Sequence, residues 1–251
     1  MNLLASGKTN AKTSKNKRNT AIMYIAPFNQ NERGTNLCPK ASNGCAAACL
    51  YNSGRGKFSN VKQARINKAN YFVSDKRKFT KQLLDELVKL NNKGKFAVRL
   101  NGTSDVDFIK LIDLHHNVDV LESLPNLTFY DYTKVLTRVK RYAGTNYRLT
   151  FSRSETNEHE AVEALTVGSP ISVVFSTKKG EPLPSEYLGH TVVDGDEADD
   201  IMLDKRGAYV LGLRFKGSNA DRIEAVNSGF VVDINKIKQD EVKDNGELVQ
   251  G

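Results

Sequence analysis

Only three cysteines occur in the 251 residues, and all three fall between positions 38 and 49. An odd number in one short window argues against a disulfide framework, since one thiol would be left over and a chain of this length should not need one. Long apolar runs are also missing. None approaches the ~18 residues of a membrane-spanning helix, so no membrane association is expected. The opening MNLLA gives way at once to a polar tract, unlike a secretory signal, and the expected location is the cytoplasm, where thiols stay reduced.

Several catalytic signatures are absent. There is no H-E-x-x-H, no Walker A loop, no G-x-S-x-G and no dinucleotide fingerprint. His115 and His116 fall late in an expected helix, His159 in the first turn of another, and His190 at the start of a strand. None is at the carboxyl end of a strand, although one could complete a zinc site if its loop folded over.

Charge of one sign is missing from three segments. Residues 1–20 hold Lys8, Lys12, Lys15, Lys17 and Arg18 and no acid, which reads as a disordered basic arm. Glu181 to Asp204 holds eight acids and no Lys or Arg. Between them, positions 55–95 carry twelve basic residues against three acids, and 134–153 carry six against none. With a net charge of +8, the molecule should present a positive side to a nucleic acid, a nucleotide or another polyanion. Each run taken alone is also compatible with a solvated face.

The remaining pattern alternates strands and helices. Apolar runs at 21–27, 96–102, 127–132, 147–154, 171–177, 190–194 and 208–215 read as strands. Positions 60–92 read as helix broken near Ser74-Asp75, with Phe79, Leu83, Leu87 and Leu90 on one face of the second piece. Further helices are expected from about Asp105, with Ile109, Ile112 and Leu114 inward, over KVLTRVKRY, and after an Asn157/Glu160 capping box with Val162 and Leu165 inward. This predicts an α/β fold with a parallel sheet in one domain over 21–232, followed by a polar tail at 233–251. A partial or complete β/α barrel with a cysteine loop after its first strand is favoured over a flat, doubly wound sheet, because chemistry-bearing residues recur after the strands. Asn101, Thr103, Ser104 and Asp105, then Asp131 and Lys134, then Ser152, then Ser176 would converge on one mouth. Such residues also serve as ordinary caps and turns.

The cysteine loop, NLCPKASNGCAAACLYNSGRG, would open at that mouth. Cys45 and Cys49 are one helical turn apart, and Pro39 to Gly44 suits a turn that brings Cys38 back to them. Tetrahedral zinc and an iron–sulfur cubane both want four ligands. Three thiolates therefore imply either a distant fourth ligand, as in a structural zinc staple, or an iron left open. Asp105, Asp131 and Lys134 are the candidate catalytic groups beside it. Asp194, Asp196, Glu197 and Asp199 have the composition, though not the spacing, of a hard-cation site.

A three-cysteine loop delivered by a strand and followed by parallel β/α units resembles the radical S-adenosylmethionine superfamily in topology and ligand count. That resemblance implies that Cys38, Cys45 and Cys49 hold a [4Fe-4S] cluster and that an electron donor serves it. It places Asn101, Gly102, Thr103, Ser104 and Asp105 near the cofactor's amino group. Asp131, Ser152 and Ser176 would then face its ribose, its carboxylate or the substrate. The cysteine spacing here is C-x6-C-x3-C. Cys38 to Leu50, Arg99 to Asp105, Tyr130 to Lys134 and Val192 to Asp199 resemble, segment by segment, a bacteriophage family called gene product 88.

Overall fold

A computed structural model of the chain describes residues 1–9, 13–49, 51 and 54–237. Nine strands form one sheet in the order β1-β2-β3-β4-β5-β6-β9-β8-β7, and most of it is parallel. The parallel run consists of β2 (Thr20–Met23), β3 (Phe96–Arg99), β4 (Leu127–Thr133), β5 (Tyr147–Ser152), β6 (Ile171–Phe175), β9 (Val210–Arg214) and β8 (His190–Asp194). Its two flanks are antiparallel, with β1 (Leu4–Ser6) on β2 and β7 (Glu186–Tyr187) on β8. β1 and β7 are thus the two edges of an open sheet among the described residues. The cysteines follow the second strand, which is the first of the parallel run.

From β2 to β6 the strands lie in sequence order. Right-handed crossovers then put the intervening helices on one face. These are α2 (Ser59–Ser74), α3 (Lys76–Lys93), α4 (Phe108–His116), α5 (Val120–Ser123), α6 (Leu136–Arg141) and α7 (Glu158–Thr166), preceded by the short α1 (Asn43–Ala47) and followed by α8 (Asn219–Asn227). The main core lies beneath the helices: Phe72, Phe79, Leu83, Leu87, Phe108, Ile112, Phe129 and Phe151 are all buried within it. Strand alternation sends every second residue to the opposite face. There a smaller cluster forms around Ala97, Tyr130, Met202, Tyr209 and Leu211, covered by the 3-10 turn Ile201–Leu203 in the β8–β9 connection.

The helix break falls at Asp75, whose side chain accepts the Lys78 N–H and caps α3. Phe79, Leu83 and Leu87 are fully buried, as their spacing predicts. On α4, Leu114 points outward at 72% exposure, because the buried stripe is Phe108, Ile109 and Ile112. On α7 the inward residues are Ala161, Ala164 and Leu165, while Val162 is exposed.

The N-terminal segment expected to be a disordered arm is in large part docked. Glu86 on α3 accepts the Leu3 and Leu4 N–H groups, the Lys68 amine donates to the Leu3 carbonyl, and the Leu3 side chain is fully buried. Arg18 pairs with Asp200 at 3.3 Å and Asp204 at 2.7 Å. Residues 10–12 and, from the expected polar tail, 238–251 lie outside the described part.

Candidate functional site at the carboxyl ends of the parallel strands

The loop after β2 is held from both sides. Cys38 starts a turn in which its carbonyl accepts the Ala41 N–H, and Ser42 then caps α1 by accepting the Cys45 N–H at 3.2 Å. Cys45 lies within α1, and Cys49 follows it with its N–H on the Ala46 carbonyl. Glu155, beyond β5, reaches across to the start of this helix and takes the Ser42 hydroxyl and the Gly44 N–H, both at 2.7 Å. A Cβ on Gly44 would stand 2.6 Å from that of Phe230 and 2.8 Å from a Glu155 oxygen, so this close approach needs glycine. Burial disfavours the Glu155 carboxylate, but these hydrogen bonds and the Lys134 charge outweigh it and hold its pKa below the usual range.

All three thiols are half-buried and reduced. Burial pushes the Cys38 thiol up to about 12, and the charges of Asp105, Cys49 and Cys45 add to the rise. Its Sγ faces the Thr103 carbonyl at 3.9 Å. Burial also raises Cys49, with Cys45 acting in the same direction, while the Tyr51 backbone, Arg65 and Lys134 act against it. The three thiols therefore lie within electrostatic range of one another, and Asp105, Arg65 and Lys134 share the region. Among the described residues no three His, Cys, Asp or Glu side chains are grouped closely enough to hold a metal ion.

The residues expected after β3 mostly brace the loop. Asn101 is buried; its side chain accepts from Ser104 and Val106 and donates to the Val106 carbonyl and Asp131. Gly102 packs so tightly that a Cβ there would meet the Tyr24 ring at 2.5 Å. The Thr103 hydroxyl donates to the Ile25 carbonyl, leaving its own carbonyl toward Cys38. Asp105 accepts from Thr133, the Lys134 N–H and Arg138, and so locks the β3 loop onto the end of β4.

Asp131, expected as a catalytic group, is fully buried and accepts from the Leu100 and Asn101 N–H groups, the Asn101 amide and the Tyr147 hydroxyl. Burial drives its carboxyl up to about 6, against the opposing pull of Arg99, Tyr147 and Arg138. Its position makes it a brace beneath the β3 loop. Ser152 meets Ser172 through their hydroxyls at 3.3 Å, and Ser176 is engaged by Asp233 and Ile234. Lys134 alone of the three catalytic candidates offers a free group: it is 8% exposed, and its amine has no hydrogen-bond or ion-pair partner among the described residues.

Arg65, Tyr24, Tyr51 and Glu155 complete the site. The Arg65 guanidinium lies 4.9 Å from the Tyr24 ring centre and 5.5 Å from that of Tyr51. Arg65 is one of many cations in its run, and nothing in its local spacing marks it out. The acidic stretch is taken up in ion pairs on the opposite face or at its edge: Asp199 holds Arg99, Asp200 and Asp204 hold Arg18, and Asp194 and Asp196 hold Arg214. His115 and His116 both contact the Thr80 hydroxyl, and His190 meets the Leu188 carbonyl.

The sequence model of the family described as Gene product 88 matches residues 2–233, which takes in every strand and helix above and all three cysteines. The chain belongs to the gene product 88 family of bacteriophage. No curated protein and no solved structure matches it. In this gene product 88 chain no described helix is long and apolar enough to cross a membrane.

Proposed function

We propose that the chain is an iron–sulfur enzyme in which Cys38, Cys45 and Cys49 hold a [4Fe-4S] cluster, with the fourth iron left open for S-adenosylmethionine and a nucleotide or nucleic acid as substrate. The observation that carries this reading is the placement of the chain's only three thiols in one loop at the carboxyl ends of parallel strands, with Cys38 against the β3 loop and the Cys45 helix held by Glu155 from beyond β5. The sequential β2–β6 order is compatible with a partial β/α barrel, and parallel α/β folds place their chemistry at the carboxyl ends of the strands.

The donor set suits a cubane better than a single ion. Zinc on three thiolates would still need a fourth protein ligand to complete its tetrahedron. A cubane takes each thiolate on a different iron and leaves the fourth iron for a small-molecule ligand. When bound, the cluster would supply single electrons and, with S-adenosylmethionine, hydrogen abstraction from the substrate. The chain's own part is positional. Glu155 fixes the cysteine helix, the Asp105 network fixes the β3 loop, and Lys134 contributes a charge to the mouth. On α3, exposed Lys76, Arg77, Lys78, Lys89 and Lys93 supply a basic surface suited to attracting a polyanion.

The test is anaerobic purification followed by iron, sulfide and zinc analysis of the wild type and of Cys38→Ala, Cys45→Ala and Cys49→Ala. About four iron and four sulfide per chain, lost in each variant, is the expected result. One zinc without sulfide, or no metal, overturns the proposal.

A further inference from the structure

Beside Cys49, Arg65 and Lys134 carry positive charge without an ion pair among the described residues. Arg65 projects from α2 between Tyr24 and Tyr51, and its Nε and Nη1 atoms are buried without an acceptor among the described residues. Rings stabilise the face of a guanidinium but leave its in-plane donors unsatisfied. Glycine at position 56 keeps the space open: a Cβ there would collide with the Tyr51 carbonyl and stand 3.2 Å from Nη1. The Lys134 amine, on a residue that is 8% exposed, has no hydrogen-bond or ion-pair partner among the described residues, and Lys62 adds a third cation, 5.9 Å from the Tyr51 ring centre.

The acids nearby are already engaged. Glu155 uses both oxygens on Ser42 and Gly44, and Asp105 uses its pair on Thr133, Lys134 N–H and Arg138. Neither forms an ion pair with Arg65 or the Lys134 amine. The Tyr24 ring that Arg65 faces packs on Gly102, and in the same β3 loop Thr103 meets the Cys38 thiol and Asp105 accepts the Lys134 N–H, which puts both cations at the strand ends with the thiol loop.

We infer that Arg65 and Lys134 form an anion subsite beside the cysteines that takes the phosphate of a nucleotide-type ligand. A carboxylate would neutralise one of the two cations, whereas a phosphate monoester carries enough charge for both and enough acceptor oxygens for the orphaned guanidinium donors and the amine. Tyr24 and Tyr51 hold the guanidinium in place before the ligand arrives, and Gly102 in turn leaves room for Tyr24. The subsite names the substrate class for the proposed enzyme and rests on that reading for its place in the reaction; phosphate binding itself requires no cluster.

The experiment titrates the full chain with inorganic phosphate and deoxyadenosine monophosphate by calorimetry at low salt, with acetate and deoxyadenosine as controls. Wild type, Arg65→Met, Arg65→Lys and Lys134→Met are compared, with iron and sulfide measured on every sample and folding checked by circular dichroism. The wild type should bind both phosphates and neither control. Arg65→Met and Lys134→Met should each weaken binding by roughly tenfold or more, and Arg65→Lys by less, with iron and sulfide unchanged. Equal binding by wild type and the folded variants overturns the subsite, as does a wild type that binds no phosphate or binds acetate as tightly. Variants that lose iron and sulfide while the wild type binds no phosphate would assign the two cations to neutralising the thiolates instead. A wild type without iron that still binds phosphate through Arg65 defeats the cluster proposal and leaves the subsite standing.

Discussion

Glu155 and Gly44, 111 positions apart in sequence, are joined by a 2.7 Å hydrogen bond from the Gly44 N–H to the carboxylate. Through it the loop after β5 sets the start of the cysteine helix, so the placement of Cys45 depends on a residue from the other side of the mouth. Glu155→Gln should cost about 1–3 kcal/mol in urea unfolding at neutral pH, because the amide cannot accept from Ser42 and Gly44 together. The acid limb should change as well. A carboxyl with a depressed folded pKa stabilises above its unfolded value of about 4.3, and that contribution is lost as pH falls through the folded pKa. The wild type should therefore lose stability more steeply below about pH 4.3 than the Gln variant; parallel acid limbs would refute the assignment.

Asp199 grips the Arg99 guanidinium with both oxygens, at 3.0 and 3.1 Å, and also accepts the Tyr130 hydroxyl. Asp199→Asn should cost about 3 kcal/mol or more, since it leaves a buried cation under-compensated. Adding Arg99→Met should restore part of the loss. Strict additivity in a double-mutant cycle would mean that the two side chains are not coupled.

Cys38, with its pKa raised by burial, should be a poor nucleophile in the metal-free protein. Iodoacetamide at pH 8 should label it at least about tenfold more slowly than it labels the unfolded chain. Because the folded thiol keeps its proton to about 12, folding stability should decline as pH rises above about 8.5, where the unfolded thiol ionises. Cys38→Ala should flatten that alkaline limb.

Leu3 is fully buried although it lies three residues from the start of the sequence. Leu3→Ala should destabilise the fold by about 2–4 kcal/mol in chemical denaturation. A change below 0.5 kcal/mol, the range usual for surface substitutions, would show that the N-terminal strand is not docked in solution.

The parts of the fold that sequence reading captured are those decided locally. The α2–α3 break was legible because Asp75 can cap only the helix that follows it, and the α3 stripe because Phe79, Leu83 and Leu87 repeat every four residues. β1 was not, since Glu86 and Lys68, more than sixty positions away, hold its entry. The expected capping box at Asn157 fails for a local reason. Its side chain accepts the Ser154 N–H and donates to the Ser152 carbonyl, which takes it away from the helix N–H groups. In the site, the thiol loop and Lys134 were readable from their place after strands. Asp131 looked the same on paper but is fully buried, because strand alternation turns it to the helix side, where Tyr147 and the Asn101 loop cover it.

The β8–β9 connection has a consequence for how the molecule forms. Asp199 donates its N–H to Asn16 and Asp204 pairs with Arg18, contacts that close loops of 183 and 186 residues. β9 must also insert between β6 and β8 before the sheet has its final order. During synthesis the edge of β6 therefore waits, uncovered, until most of the chain has left the ribosome. Pairings this distant make folding slow and leave that edge open to pairing with other chains.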